Sequence, residues 1–240
     1  MDAVRVIGAG RAGTSIASAL AAVGWRVESP LGRGDDLRGA AERVDLLVVA
    51  TPDAAVESVA GAVDPVPTTL VAHLAGSLGP DVLVPHPRRA AIHPLVSLPD
   101  AGVGAARLRG AWFALAGDPA AAEVVEALGG RWRVVADEDR AAYHAAACIA
   151  SNHLVALLGQ VERVAAVAGM PLEAYLALVR ETVENVAALG PATALTGPVA
   201  RRDWDTVDRH LAVLDERERG AYVAMVELAQ RLAEEARACR

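Results

Sequence analysis

The chain has 240 residues and a formal net charge of −7, with 53% hydrophobic, 22% charged and 3% aromatic residues. This composition can form a hydrophobic core and excludes an intrinsically disordered chain. The acidic balance and the scarcity of aromatic side chains argue against nucleic-acid binding. All 23 basic residues are arginine, which excludes a Schiff-base lysine and a P-loop lysine.

Cysteine, histidine and hydropathy patterns exclude several further classes. The two cysteines, Cys148 and Cys239, are too few for a disulfide framework, and the spacing of the histidines predicts no metal site. The N-terminus lacks the features of a signal peptide, and no apolar run approaches the roughly 18 residues of a membrane-spanning helix. We therefore expect a soluble cytoplasmic protein that does not bind membranes.

The first half of the sequence alternates short β-branched runs with helical stretches. Predicted strands cover residues 4–7, 25–28, 45–50, 69–74, 90–93, 112–116 and 132–136. Predicted helices cover 12–23, 37–43, 54–63 and 120–128. Regular alternation of strands and helices is typical of a parallel sheet with right-handed crossovers. The prediction is an α/β Rossmann domain with a doubly wound, mostly parallel sheet.

After residue 137 the strand patterns stop. Helices are predicted over 138–168, 172–188, 204–214 and 217–238, the third of them capped by Asp203, with a loop at 189–200. The change from mixed to helical patterns places the domain boundary between 137 and 138. We expect a Rossmann nucleotide-binding domain at 1–137 and a smaller all-helical domain for substrate binding and dimerisation at 138–240.

A glycine-rich motif follows the first predicted strand and opens the first helix. Its residues are Gly8, Ala9, Gly10, Arg11, Ala12 and Gly13. In a dinucleotide-binding turn, the first glycine permits the tight turn and the second lets a diphosphate approach the backbone. The third allows close contact between helix and strand. The helix N-terminus then offers free N–H groups and a favourable dipole to the phosphates. A glycine turn without a ligand is the alternative.

The segment that selects between the two nicotinamide cofactors lies about 18 residues after Gly13. NAD enzymes have a carboxylate there that binds the ribose 2′-hydroxyl. This position holds Leu31, followed by Gly32 and Arg33, whereas Glu28 is about three residues early. A guanidinium without the carboxylate suits a 2′-phosphate, so the prediction is NADP(H) with Arg33 as a ligand. In the alternative, Arg33 is a solvated loop residue.

A second candidate segment ends the third predicted strand. Thr51, Pro52 and Asp53 follow a continuous apolar run. Ligands of open α/β sheets bind at the carboxyl ends of the strands, so we expect these residues to contact the cofactor. An ordinary turn after a strand is nearly as compatible with the pattern.

Two histidines are candidates for proton transfer. His93 follows a predicted strand, and His144 lies on the first long helix, on one face with Cys148 and Asn152 and with Ser151 at the edge of that face. A histidine and an asparagine among apolar residues require partners if they are buried. A structural histidine with satisfied hydrogen bonds is the alternative to a catalytic one.

Together these segments resemble the two-domain Rossmann-like proteins of the 6-phosphogluconate-dehydrogenase-like superfamily. Within it, the chain is similar to a group whose helical second domain is described as a domain of unknown function. The matching segments are residues 6–13, 50–53, 93–95, 143–146, 150–154, 194–198 and 201–203. The first three of these segments are shared across the superfamily. The segments in the second half, 143–146, 150–154 and 194–198 with 201–203, are distinctive.

The resemblance implies an NADPH-dependent reductase of a small 2-oxo acid, with ketopantoate as the leading substrate, and a homodimer. Related ketopantoate reductases carry Lys-x3-Asn-x3-Asn where this chain has His144, Cys148 and Asn152. His144 is then the proton donor, Asn152 orients the substrate together with Cys148 and Ser151, and His93 is the second candidate donor. The alternatives are a non-catalytic NADP sensor and a reductase of an imine, a β-hydroxy acid or a prephenate-like substrate.

Overall fold

The computed structural model describes residues 1–238, so Cys239 lies outside the described residues. The chain divides into two compact units, Met1–Ser151 and a second unit that begins at Asn152. This division lies later than the predicted domain boundary at 137/138. The difference concerns one helix, because helix α5 (Arg140–Cys148) belongs to the first compact unit.

The first unit contains one seven-stranded sheet. Its strands are β1 (Ala3–Ile7), β2 (Arg26–Val27), β3 (Leu46–Val49), β4 (Leu70–His73), β5 (Arg89–Pro94), β6 (Trp112–Gly117) and β7 (Arg131–Val134). The strand order is β2-β1-β3-β4-β5-β6-β7, and every neighbouring pair is parallel except β5 and β6. The prediction of a doubly wound, mostly parallel sheet is confirmed, and each predicted strand is present.

The sheet is buried on both faces, which explains the continuous apolar runs of its central strands. On β3, Leu46 and Val48 belong to one hydrophobic cluster, and Leu47 and Val49 belong to the cluster on the opposite face. Successive side chains of a strand point to opposite faces. A central strand covered on both sides therefore needs apolar residues at every position.

Five helices accompany this sheet: α1 (Arg11–Ala22), α2 (Val56–Gly61), α3 (Ala101–Leu108), α4 (Ala121–Ala127) and α5. The predicted helix at 37–43 is a shorter 3-10 segment, Arg38–Ala41. Helix α3 was not predicted, because Gly102 and Gly104 weaken its helical pattern. Its N-cap is Asp100, whose side chain accepts a hydrogen bond from the Val103 N–H at 2.9 Å.

The second unit is helical. Its helices are α6 (Leu154–Val167), α7 (Leu172–Leu189), α8 (Pro191–Ala194), α9 (Pro198–Arg201), α10 (Trp204–Val213) and α11 (Glu216–Ala238). The predicted loop at 189–200 contains the two short helices α8 and α9. Asp203 caps α10 as predicted, since its carboxylate accepts from the Thr206 N–H at 3.1 Å.

The predicted helix at 138–168 is continuous but not uniformly α-helical. A π-helical segment, Ile149–His153, connects α5 to α6. The whole helical stretch Asp137–Val167 is long and apolar enough to cross a membrane by length and composition alone. This finding differs from the expectation that no segment reaches that length, because the stretch combines many alanines with few charges. Buried core helices of soluble proteins pass the same test, but the apolar window of this stretch is not buried within the described residues.

Candidate functional site

A cleft in the first unit lies at the carboxyl ends of the parallel strands. At this edge the connection after β1 leads to β2 and the connection after β3 leads to β4, in opposite directions along the sheet. Its volume is about 500 Å³. It is lined by Gly10, Arg11, Ala12, Ala50, Thr51, Pro52, Leu74, His93, Pro94, Val96, Ser97 and Leu98. The β1/β3 position is the topological switch point of the sheet, where open α/β folds bind ligands.

Gly8 and Gly13 are required by the fold of the turn itself. Gly8 has φ +108°, and a Cβ on it would lie 2.5 Å from the Ala50 carbonyl oxygen. A Cβ on Gly13 would lie 1.9 Å from the carbonyl oxygen of Gly8. These two glycines therefore hold α1 close to β1 and do not by themselves indicate a ligand.

The fold itself does not require a glycine at position 10. The Gly10 backbone has φ −75° and ψ −179°, which any residue adopts, and a Cβ on it would meet no atom of residues 1–238 within 4 Å. Gly10 is the N-cap of α1, and no side chain caps this helix or places a carboxylate in its first turn. The first N–H groups of the helix and the bare Cα of Gly10 thus face the cleft, which is suited to an anion.

The loop after β2 holds the predicted cofactor-selecting residues. Leu31 pairs with Ile7, and its carbonyl accepts from the Gly8 N–H at 2.8 Å, so the loop lies beside the glycine turn. The Gly32 N–H donates to Asp35 Oδ2 at 2.7 Å. Arg33 is exposed, and within residues 1–238 its side chain makes no hydrogen bond or ion pair.

The residues after β3 divide into two groups. Thr51 and Pro52 line the cleft, and the Thr51 hydroxyl is buried without a hydrogen-bond partner in the described part of the chain. Asp53 does not line the cleft; its carboxylate accepts from the Ser77 hydroxyl at 2.7 Å. An unsatisfied buried hydroxyl beside a cleft is a feature that a bound ligand would relieve.

His93 lies at the end of β5 and lines the cleft. Its Nδ1 atom is 2.5 Å from the Tyr143 hydroxyl, and the two rings meet edge to face with centroids 5.6 Å apart. Burial, reinforced by the neighbouring His144, lowers the pKa of His93 to about 4. Burial also raises the pKa of Tyr143 to about 12. At neutral pH both groups are therefore uncharged.

His144 lies on α5 beside His93, with ring centroids 6.2 Å apart. Its Nε2 atom is 3.9 Å from Cys148 Sγ, one helical turn further along. Gly76, after β4, lies against both histidines: a Cβ on Gly76 would be 2.8 Å from His93 Nε2 and 2.9 Å from His144 Cδ2. The first unit therefore brings the two predicted histidines together, next to the cleft.

Ser151 and Asn152 are exposed and belong to the π-helical segment. A π turn holds more residues than an α turn, so the regular four-residue spacing that the predicted face assumes ends at Cys148. The roles of Ser151 and Asn152 at the substrate stay predictions.

Two other histidines of the first unit are buried, each with Nε2 close to a backbone carbonyl oxygen. His73 is fully buried, with Nε2 3.0 Å from the Gly79 carbonyl oxygen and Nδ1 accepting from the Ala75 N–H at 3.2 Å. Burial lowers the pKa of His73, which keeps the ring neutral. His86 is also fully buried, with Nε2 3.0 Å from the Ala60 carbonyl oxygen.

Residues 113–229 match a family model described as "Domain of unknown function (DUF2520)". A search of curated proteins found no significant match.

Solved structures extend the similarity to the whole chain. Protein TM1727 from Thermotoga maritima is 24% identical with a TM-score of 0.74, over 98% of this chain and 99% of that one. The reductive aminase from Aspergillus terreus, in complex with NADPH4, cyclohexanone and allyl amine, is 16% identical with a TM-score of 0.69, over 98% and 94%. Plasmodium falciparum pyrroline carboxylate reductase with NADP bound is 12% identical with a TM-score of 0.62, over 97% and 98%. The resemblance inferred from the sequence is confirmed at the level of the fold.

The sequence did not identify Tyr143 and Gly76 as parts of the site. Tyr143 lies within the matching segment 143–146 without a predicted role, and Gly76 belongs to no predicted motif. No local pattern could have shown that both contact His93, because the contact between Tyr143 and His93 spans 50 residues of the chain.

Proposed function

We propose that the protein is an NADP(H)-dependent reductase of a small carbonyl compound, a 2-oxo acid such as ketopantoate. The observation that carries the proposal is the cleft at the switch point. It is lined by Gly10, at the uncapped N-terminus of α1, and by His93. The nicotinamide cofactor supplies a hydride when it is bound. The chain's own residues bind it, orient the substrate and hold the proton that reduction requires.

Three features of the cleft fit a dinucleotide. The bare Cα of Gly10 leaves room for a diphosphate at the N-terminus of α1. The Thr51 hydroxyl is a buried group without a partner among the described residues. Arg11, at the first position of α1, lines the same cleft and adds positive charge. The solved structures of the reductive aminase and of pyrroline carboxylate reductase, which contain NADPH4 and NADP, support the same cofactor class.

Arg33 favours NADP(H) over NAD(H). It is exposed in the loop beside the glycine turn and has no carboxylate partner in the described chain. A free guanidinium there can bind a 2′-phosphate. The carboxylate of Asp35, two residues further along this loop, accepts from the Gly32 N–H.

His93 and His144 have different roles toward the substrate in this proposal. His93 stays neutral at physiological pH because burial holds its pKa near 4, so it hydrogen-bonds the substrate without carrying charge. His144 is the proton donor for the oxygen on which negative charge develops. Asn152 orients the substrate, with Cys148 and Ser151 beside it, and these roles rest on the sequence.

Imine reduction is the second candidate. The reductive aminase and pyrroline carboxylate reductase share the fold over nearly the whole chain. Reduction of an iminium needs a hydride but no new proton on the reacting nitrogen, whereas reduction of a ketone needs one on oxygen. A neutral imine must gain a proton on nitrogen, so dependence of activity on His144 distinguishes ketones only from substrates supplied as iminium ions.

The test is a substrate panel followed by the loss of NADPH absorbance. Ketopantoate and other 2-oxo acids form one arm, and cyclic imines and ketone–amine pairs form the other. Turnover in the first arm with NADPH preferred over NADH supports the proposal. Turnover only with imines would show that the substrates are imines and not 2-oxo acids. Tight NADPH binding without turnover of any compound would favour a non-catalytic NADP sensor.

We also propose that the protein is a cytoplasmic homodimer. The second unit has few buried apolar residues, whereas large apolar side chains of its first helices are exposed: Val155 by 69%, Val167 by 87% and Leu178 by 58%. Such exposure is typical of a surface that another chain covers. Glu162 and Arg163 lie within α6, and burying them in a bilayer would be costly, so a second copy is favoured over a membrane.

Sedimentation of the purified protein tests the dimer. We expect a dimer that Val183→Asp, on an exposed part of α7, shifts toward monomer. A wild-type monomer that floats with lipid vesicles would contradict the proposal.

A further inference from the structure

The two nitrogens of His93 have different surroundings. Nδ1 is 2.5 Å from the Tyr143 hydroxyl. Nε2 lies on the ring edge that faces the Cα of Gly76, and it has no hydrogen-bond partner within residues 1–238. Nδ1 is therefore held by the protein, whereas Nε2 is the nitrogen that remains for a ligand of the adjoining cleft.

The Tyr143 hydroxyl needs an acceptor for its proton. It is half-buried on α5, and His93 Nδ1 is its hydrogen-bond partner in the described structure. Because burial raises the pKa of Tyr143 to about 12, the phenol keeps its proton throughout the physiological range. A phenol that accepted from Nδ1–H would leave its own proton without a protein acceptor, which is unfavourable for a half-buried hydroxyl.

We propose that Tyr143 is a positioning residue for the proposed reductase. Its hydroxyl donates to His93 Nδ1 and fixes the ring as the neutral Nε2–H tautomer. Nε2–H then donates a hydrogen bond to the carbonyl oxygen of the substrate, or to the lone pair of a neutral imine nitrogen. This inference rests on the proposed function for the substrate contact, while the tautomer itself is a property of the protein alone.

The groups around His93 are compatible with a neutral ring. His144 and Arg140 on α5 and His73 on β4 disfavour a positive charge on His93, and Asp53 after β3 favours it. Burial outweighs the carboxylate of Asp53 and keeps the pKa of His93 low. The tautomer is therefore decided by hydrogen bonding to Nδ1, not by protonation of both nitrogens.

The chain contains a matched control for this pair. Tyr222 and His210, in the second unit, repeat the geometry: the hydroxyl is 2.6 Å from His210 Nδ1, and the rings meet edge to face at 85°, compared with 86° for Tyr143 and His93. Replacing either tyrosine with phenylalanine removes one hydroxyl and keeps the ring contact. Tyr222→Phe thus controls for loss of a Tyr–His hydrogen bond elsewhere.

The deciding experiment is nitrogen NMR of the full chain labelled with 15N-histidine, with His93→Gln used to assign the His93 signals. We expect His93 to be the pure Nε2–H tautomer in the wild-type protein. The tautomer of His93 should change in Tyr143→Phe and stay unchanged in Tyr222→Phe. A mixture of tautomers in Tyr143→Phe supports the inference. A wild-type Nδ1–H tautomer, or an unchanged tautomer in Tyr143→Phe, would overturn it.

Steady-state kinetics, with whichever substrate the protein reduces, test whether this tautomer of His93 matters for turnover. Tyr143→Phe should lower kcat about five- to tenfold, the effect of one hydrogen bond, and leave NADPH affinity unchanged. Tyr222→Phe should keep wild-type kcat. Equal kcat for Tyr143→Phe and wild type would overturn the positioning role. If the wild-type protein reduces nothing, the proposed function fails, while the NMR result still supports or overturns the fixing of the tautomer by Tyr143.

Discussion

The imidazoles of His93 and His144 lie edge to face, with ring centroids 6.2 Å apart and an interplanar angle of 75°. One ring comes from β5 and the other from α5, and the backbone of Gly76 lies against both. The arrangement has no space for an additional methyl group at Gly76. The distance between the two candidate catalytic groups therefore depends on a glycine outside the nucleotide-binding turn.

Gly76→Ala should displace one or both imidazoles, because its Cβ would lie 2.8 Å from His93 Nε2. We expect kcat to fall by about 10- to 100-fold through misplaced catalytic groups, with NADPH affinity unchanged. The measurement is steady-state kinetics with cofactor titration. Gly61→Ala is the control, because a Cβ there would meet no atom of the described residues within 4 Å. A fully active Gly76→Ala variant would show that the positions of the rings do not limit the reaction.

Gly10 and Gly13 should separate cofactor binding from folding. Gly10→Val should abolish NADPH binding. It should leave the unfolding temperature near that of the wild type, because no atom in the described part of the chain lies within 4 Å of a Cβ at Gly10. Gly13→Ala should destabilise the fold by more than about 1 kcal/mol, since its Cβ would overlap the Gly8 carbonyl. Fluorescence titration and thermal unfolding measure the two effects. Retained NADPH binding by Gly10→Val would mean that this turn is purely structural.

Arg33→Ala should weaken NADPH binding by about 1.5–3 kcal/mol, the contribution of a charge-assisted hydrogen bond, and leave NADH binding nearly unchanged. Arg109→Ala, at an exposed position after α3, is the control and should affect neither cofactor. Titration of both reduced cofactors by fluorescence provides the measurement. An equal loss for NADPH and NADH would place Arg33 away from the 2′-phosphate.

His144→Ala should lower kcat for a 2-oxo acid by about two to four decades, the contribution of general acid catalysis, at unchanged NADPH affinity. Asn152→Ala should mainly raise KM, because this residue orients the substrate and donates no proton. Initial rates across a range of substrate concentrations separate the two effects. If His93→Ala loses activity and His144→Ala keeps it, His93 is the donor and the reductase proposal stands.

Burial of neutral His93 should make folding stability depend on pH. The pKa of His93 in the folded protein, near 4, lies below the ordinary histidine value of 6.5, so the unfolded chain binds the proton first as pH falls. The stabilising contribution is present above pH 6.5 and is lost as pH decreases from about 6.5 to about 4, at most about 3 kcal/mol. Denaturant unfolding at several pH values should show a flatter profile for His93→Gln than for the wild type. The same substitution at exposed His153 is the control, and parallel profiles for wild type and His93→Gln would contradict the effect.

Several features of the protein could be predicted from the sequence because they depend on local patterns. The apolar run at 45–50, which contains β3, predicts a central strand. A strand covered on both faces needs an apolar residue at every position. The glycine motif predicts a tight turn between a strand and a helix, because few other residues adopt the conformation of Gly8. Asp203 predicts the start of α10, since the cap acts within three residues.

Only the tertiary structure decided which of these residues meet. The pairing of His93 with Tyr143, the position of Gly76 against both histidines, and the separation of Asp53 from the cleft depend on how β4, β5 and α5 are arranged. These contacts join residues far apart in the chain, and no periodicity records them. The π-helical segment Ile149–His153 likewise changes the spacing along the long helix, although its sequence reads as regular helix. Local propensity thus determined the elements, and long-range side-chain contacts determined the site.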